Sequence, residues 1–262
     1  MDSIPNILLA ALPRATYLKL LPGLTPVTLK FGDVLYELGA PMREVYFPGA
    51  CLVSLLTKSD GHLALEVGMV GREGIVGTPL ALGVDHSPIR ALVQGGGPAL
   101  QMDRARFLSA LKRTPLLQRA IFGYIQALMG QITQTAVCNR FHVVDGRLAR
   151  WLLMTRDRVG SGEFRMTHDF LASMLGVRRE GVTEAASDFQ RRDLIEYSRG
   201  KIRIRDHRGL EAASCTCYHR TPAGNGKLPS WRPVRPHVGT PQRRAGTAIL
   251  PGFTTRKGEG GE

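Results

Sequence analysis

No apolar run in this 262-residue chain approaches the roughly 18 residues that a membrane-crossing helix needs. The opening stretch, MDSIPNILLAALPRATYLKLL, is amphipathic but has no basic segment leading into a cleavable apolar core. Neither a signal peptide nor a membrane partner is expected, and the reading places the chain in the cytoplasm. Cysteine is scarce: Cys51, Cys138, Cys215 and Cys217 are the four, and their spacing fits no disulfide framework. Cys215-x-Cys217-Tyr218-His219 has the look of the start of a metal or iron–sulfur site. There is no second close cysteine pair to complete four ligands, so reduced surface thiols and no bound metal are the expectation. Catalysis has little foothold either. The segment GREGIVG at 71–77 lacks the Gly-Lys-Ser/Thr of a phosphate-binding loop, the acidic residues are scattered, and no histidine stands in a nucleophile–base pattern. An enzyme is not expected.

The length suffices for two domains with real cores, and a hydrophobic content of 43% suits a globular chain. The formal net charge is +13, but six of those charges fall in residues 219–262. The modest excess left on the rest permits polyanion binding without demanding it.

The most informative stretch runs from Met166 to Asp206. Thr167 is a hydroxyl N-cap, Asp169 lies in the first helical turn, and Phe170, Leu171 and Leu175 form a buried face. Ala172 marks a helix crossing. Four residues later Gly176 breaks the helix, and Val177 anchors the turn. A second helix, about 178–191, puts Val182, Ala185, Ala186 and Phe189 on one face and leaves Arg178, Arg179, Glu180, Thr183 and Glu184 on the other. LIEYSRGKIRIRD then alternates around an Arg199-Gly200 turn, with Ile195, Tyr197, Ile202 and Ile204 inward and Lys201, Arg203 and Arg205 outward. This pattern is a winged helix-turn-helix. Arginine reads guanine with a two-pronged fork, glutamate accepts from cytosine, and a basic hairpin edge suits phosphate. A helical hairpin that merely packs a core is the plainer alternative, which the coincidence of Ala, Gly, apolar positions and basic wing disfavours.

Elsewhere the chain divides by texture. Residues 5 to about 21 read as a short leading helix interrupted at Pro13. From Val27 to about Asp103, β-prone runs (VTLKF, GDVLY, EVYFP, CLVSLLTK, LALEVGMV, ALVQ, PALQM) alternate with turn residues, as in an antiparallel jelly roll, and Asp60-Gly61 signals a hairpin. Thr114-Pro115 opens a long helix through about Asn139, with Leu117, Ile121, Tyr124, Leu128 and Ile132 at three-and-four spacing. Its own β domain takes one side, and an identical helix across a two-fold axis is the expected partner for this seam, with Gly123 and Gly130 allowing close approach. A further helix spans 142–159. Beyond Tyr218 the Pro-, Gly- and Arg-rich tail has no periodicity and reads as disordered.

The order of parts, together with FGDVLYELG at 31–39, GREGIVG at 71–77, RLARWLLMTRDRV at 147–159 and LASMLGVRREGVTEA at 171–185, resembles the Crp/Fnr family of bacterial transcription regulators over about residues 20–218. The resemblance implies an α+β chain: an N-terminal β-roll of the cyclic-nucleotide-binding-like kind with its leading helix (1–113), a dimerisation helix (114–140), a winged helix-turn-helix (141–218) and a basic tail (219–262). It implies a homodimer on a near-palindromic stretch of double-stranded DNA, with RNA polymerase as a further partner. The family's Arg-Glu pair corresponds to Arg179 and Glu180. Arg178 stands where many members have a serine N-cap and so suits phosphate, while Glu184 replaces a later basic residue, so the operator need not follow that of relatives. DNA contacts are therefore expected from Arg178, Arg179, Glu180, Thr183, Glu184, Thr167, Lys201 and Arg203. The corresponding effector pocket would involve Gly71, Arg72, Glu73, Gly74, Ser87 and Arg90. Pro88 falls where the family's cyclic-nucleotide binders use an N–H donor, so typical cyclic-AMP binding is not expected, although a cyclic nucleotide is the cofactor the family suggests. No cysteine cluster precedes Cys51, unlike the iron–sulfur members. The alternative function is a ligand-binding regulatory subunit acting on a partner protein.

Overall fold

The computed structural model describes residues 6–57 and 64–220. The Asp60-Gly61 turn and the tail beyond residue 220 lie outside the described residues. Two short helices, α1 (Ile7–Ala10) and α2 (Arg14–Leu20), flank Pro13, whose missing N–H cannot serve a continuous helix. Seven strands follow: β1 (Thr25–Leu29), β2 (Val34–Tyr36), β3 (Glu44–Pro48), β4 (Leu52–Thr57), β5 (Leu65–Val70), β6 (Arg90–Gly95) and β7 (Gly97–Asp103). They form two antiparallel sheets, β1-β7-β3 and β2-β6-β4-β5, with β3 paired to β7 from Glu44↔Asp103 to Pro48↔Ala99. In β3 the alternation places Val45 and Phe47 in the core, as a sheet with one buried face requires. Residues Leu52 to Leu56 are all buried, because β4 has sheet neighbours on both sides and helices beyond its outer face. The β-roll matches the expected runs.

A short helix, α3 (Thr78–Ala81), lies between β5 and β6, and α4 (Arg104–Arg113) follows β7. The latter was not anticipated. Its cap is plain, however, since the Asp103 carboxylate accepts from the N–H of Ala105 at 2.8 Å. Helix α5 (Pro115–Phe141) starts with proline at its first turn, but the Thr114 hydroxyl makes no capping bond. The Gln131 amide on α5 clamps the β5 backbone, accepting from Met69 N–H at 2.7 Å and donating to Met69 C=O at 3.1 Å.

This packing corrects the expected dimer seam. Leu117, Ile121, Tyr124 and Leu128 are buried in the chain's own β-roll core, and Ile132 packs against it. Apolar spacing identifies a helix's buried face but not its partner. On the opposite side, Phe122, Met129 and Ala136 recur every seven residues, continued by Val137 and Phe141, and all five are exposed. Gly123 is buried, whereas Gly130 lies on the open face.

After α5 come α6 (Val144–Val159), β8 (Glu163–Arg165), α7 (His168–Leu175), α8 (Arg179–Arg191), β9 (Ile195–Ser198), β10 (Lys201–Ile204) and α9 (His207–Ala213). A second core unites Trp151, Leu152, Leu171, Phe189, Ile202 and Leu210. The wing is a three-stranded sheet, β8-β10-β9, rather than the two-stranded hairpin the sequence suggested. The three residues of β8 are too few to show an alternation of their own.

Candidate nucleic-acid interface

Local chemistry sets the two-helix unit. The Thr167 hydroxyl accepts from Phe170 N–H at 3.2 Å and caps α7, so this exposed side chain has a structural task. At Gly176, φ is +61°, and a Cβ there would stand 2.7 Å from the Leu65 side chain. The turn thus needs glycine both for its conformation and for its approach to the β-roll. Helix α8 buries Val182, Ala185, Ala186 and Phe189 and exposes Arg178, Arg179, Glu180, Thr183 and Glu184, the division expected from spacing. Arg178 occupies the N-cap without a side-chain capping hydrogen bond and is exposed. Arg179 lies 3.4 Å from the Asp169 carboxylate, an ion pair exposed on both sides and correspondingly weak. Thr183 donates to Arg179 C=O at 3.0 Å and lies 3.0 Å from the His168 Nδ1 nitrogen, and the His168 ring stacks on Tyr197 at 4.2 Å. Burial, followed by the Arg179 charge, lowers the His168 pKa from its ordinary value. His168 therefore links Thr183 of α8 to Tyr197 of the wing.

Strands β9 and β10 meet at Arg199-Gly200, where φ is +49° and +74°, the two-residue turn that matches strand twist. The predicted basic edge is present but largely neutralised. Lys201 lies 2.5 Å from one Glu163 oxygen, Arg203 donates to the other at 2.7 Å, and Arg205 lies 2.6 Å from Glu196. Arg165 and Arg199 are exposed and make no ion pair among the described residues. Only knowledge of β8 could have singled out Arg165.

The expected effector turn is occupied by the protein itself. Glu73 is buried, and its carboxylate accepts from the fully buried Arg158 at 2.9 Å and from Gly71 N–H at 3.3 Å. Gly71 lies against the Arg158 side chain and Gly74 against the Tyr124 ring, while Asn6 donates to Gly74 C=O at 2.8 Å. Arg72 is exposed. Ser87 donates to Ile89 C=O, and Arg90 lies 3.3 Å from Glu37. A cavity of about 220 Å³ does lie between the β-roll and α5, lined by side chains such as Tyr36, Met42, Leu55, Val70 and Leu128. Of the six residues expected to surround an effector, only Ser87 borders it. A second buried carboxylate joins the same two regions: Glu66 accepts from Trp151 Nε1 at 2.9 Å and from the Ser54 hydroxyl. Burial pushes the Glu66 pKa up to about 7 against those hydrogen bonds and the charges of Arg158 and Arg150.

Residues 146–213 match the family model described as a Crp-like helix-turn-helix domain. That segment is about a quarter of the chain, 68 of its 262 residues. The chain as a whole shares its fold with solved structures of low identity. It is similar to CLP of Xanthomonas campestris, a c-di-GMP responsive global regulator, with 18% identity and a TM-score of 0.60 over 74% of this chain and 100% of that one. FixK2 from Bradyrhizobium japonicum gives 14% identity and a TM-score of 0.60 over 74% and 98%. A CRP-family transcriptional regulator from Thermus thermophilus gives 16% and 0.57 over 78% and 100%. No curated protein sequence matches the chain significantly. No helix among the described residues is long and apolar enough to cross a membrane.

Burial overturns the expectation for the cysteines. Cys217, after α9, and Cys138, near the end of α5, are both buried, so neither is a surface thiol. Cys138, His142, Cys215 and Cys217 bring their ligand atoms within 4.8 Å of one another. A cysteine and a histidine one helical turn apart complete the set that the missing second cysteine pair had seemed to exclude.

Proposed function

We propose that this chain is a sequence-specific transcription regulator that works as a homodimer, each copy placing the start of α8 in the major groove. The observation that carries this reading is the exposed edge Arg178–Glu184, held at its far side by Val182, Ala185, Ala186 and Phe189. Arg179, Glu180 and Glu184 are assigned to base edges, and Arg178, Arg165 and Arg199 to phosphates. Lys201 and Arg203 give a weaker phosphate contact because Glu163 competes for them. The homodimer joins through the exposed α5 face carrying Phe122, Met129, Val137 and Phe141, with a repeat suited to an identical helix.

The sensor half favours a small apolar effector in the cavity beside α5 over a cyclic nucleotide. Glu73 and Arg90, the groups that would hold ribose and phosphate, are both engaged elsewhere and do not border that cavity. Selection of bound sequences from random duplex DNA tests the reading. One motif is expected, bound at least ~10³-fold more tightly than random duplex, and Arg179→Ala should shrink that ratio. Retention of the full preference by Arg179→Ala would show that α8 does not read the bases.

A further inference from the structure

The fold gathers four soft or borderline donors at the junction of the long helix and the Crp-like domain. Cys138 and His142 lie one turn apart at the end of α5, and Cys215 and Cys217 follow α9. The sulfurs of Cys138 and Cys215 are 3.4 Å apart, and that of Cys217 is 3.3 Å from His142 Nδ1. A tetrahedral zinc site with Zn–S near 2.3 Å and Zn–N near 2.0–2.1 Å has S···S edges of about 3.8 Å and S···N edges of about 3.5 Å. The gathered atoms thus need only small adjustments to take one ion.

The surroundings favour a site carrying negative charge. Arg147 and Arg150 are buried to 8% and 6% exposure, and each has a buried Nε without a hydrogen-bond partner. Neither makes an ion pair with a carboxylate among the described residues. Three thiolates and a neutral imidazole around a divalent ion carry a net charge of about −1, which offsets buried guanidinium charge. Support extends outward from the ligands. Gln134 donates to the Cys217 sulfur at 2.9 Å, Cys215 N–H donates to Gly146 C=O at 3.2 Å, and Tyr218 donates to Asp157 at 2.9 Å. Such bonds fix the ligands' orientation.

We propose that Cys138, His142, Cys215 and Cys217 bind one zinc ion in a closed Cys₃His centre that fastens the segment after α9 to the end of α5. Thiolate-rich tetrahedral donors select zinc over the oxygen-preferring magnesium and calcium. With four protein ligands the site is structural, leaving no position for a substrate. Binding releases the protons of the three thiols to solvent and changes no oxidation state.

Metal analysis of the untagged full chain, purified without chelator, tests the assignment without reference to DNA, so its outcome is separate from that of the regulator reading. About one zinc per chain is expected, and replacement by cobalt(II) should give the intense visible bands and near-ultraviolet thiolate charge transfer of a tetrahedral centre. Cys217→Ser and His142→Ala should each lower zinc affinity at least ~10-fold, whereas Cys51→Ala, in the β-roll core, should leave zinc content unchanged. If the ligand variants fail to fold, the wild-type chain supplies the test: chelation should lower its unfolding temperature by ~5 °C or more, and zinc but not magnesium should restore it. A zinc content below ~0.1 per chain without a tetrahedral cobalt spectrum overturns the proposal. So does a Cys138–Cys215 disulfide found without added oxidant, or undiminished zinc affinity in a folded Cys217→Ser chain.

Discussion

Two of the three Arg-Glu dipeptides in this chain have opposite fates. In Arg72-Glu73 the glutamate turns inward to a fully buried arginine from α6, while in Arg179-Glu180 both residues face solvent at the start of α8. The same pair of side chains thus serves cohesion in one place and is free for recognition in the other. Burial decides which, because a desolvated charge requires its partner and an exposed one scarcely notices it.

The sharpest way to break the comparison is Glu73→Gln, which leaves the Arg158 charge buried without its carboxylate. A loss of about 3–5 kcal/mol is expected in denaturant unfolding, with partial recovery when Arg158→Met is added. Glu66 tests a buried acid held mainly by neutral donors. Its folded pKa of about 7 lies above the ordinary 4.5, so its contribution to stability is full below pH 4.5 and is lost as pH rises through 7. Glu66→Gln should flatten that slope, worth about 3 kcal/mol in the wild type, as read from unfolding midpoints across pH 4 to 8. At the exposed dipeptide the signature reverses. Arg179→Ala should cost about 1–3 kcal/mol of operator discrimination in competition binding, while unfolding changes by no more than about 0.5 kcal/mol. The smallest effect belongs to the wing, where Glu163→Gln should release Lys201 and Arg203. Binding to every duplex should then tighten by a few fold, with a steeper dependence on salt, as titrations at several salt concentrations would show.

The same contrast explains what could be read from the sequence. Thr167, Gly176 and the Val182–Phe189 face specify their local geometry within a few residues, and the Crp-like unit was accordingly legible together with the β-roll strands. Glu73 gave no such sign, because Arg158 arrives from 85 positions away. On α5 the apolar residues cover more than one face, and the pattern selected the face turned to the chain's own core rather than the open one. The Cys₃His cluster was hidden for a related reason: its halves are separated by more than seventy positions, and one half is a Cys-x₃-His helical turn rather than a close cysteine pair. In the wing, three residues of β8 were enough to bring Glu163 beside the basic strand.

The central claim is that the Arg178–Glu184 edge is presented twice by a symmetric pair. Hydroxyl-radical footprinting on the selected duplex tests it most directly. Two protected half-sites with centres one DNA turn apart, about 34–36 Å, are predicted, and both should vanish together when Phe122 and Met129 are replaced by charged residues. A single unsymmetrical footprint, unchanged by those replacements, would contradict the claim.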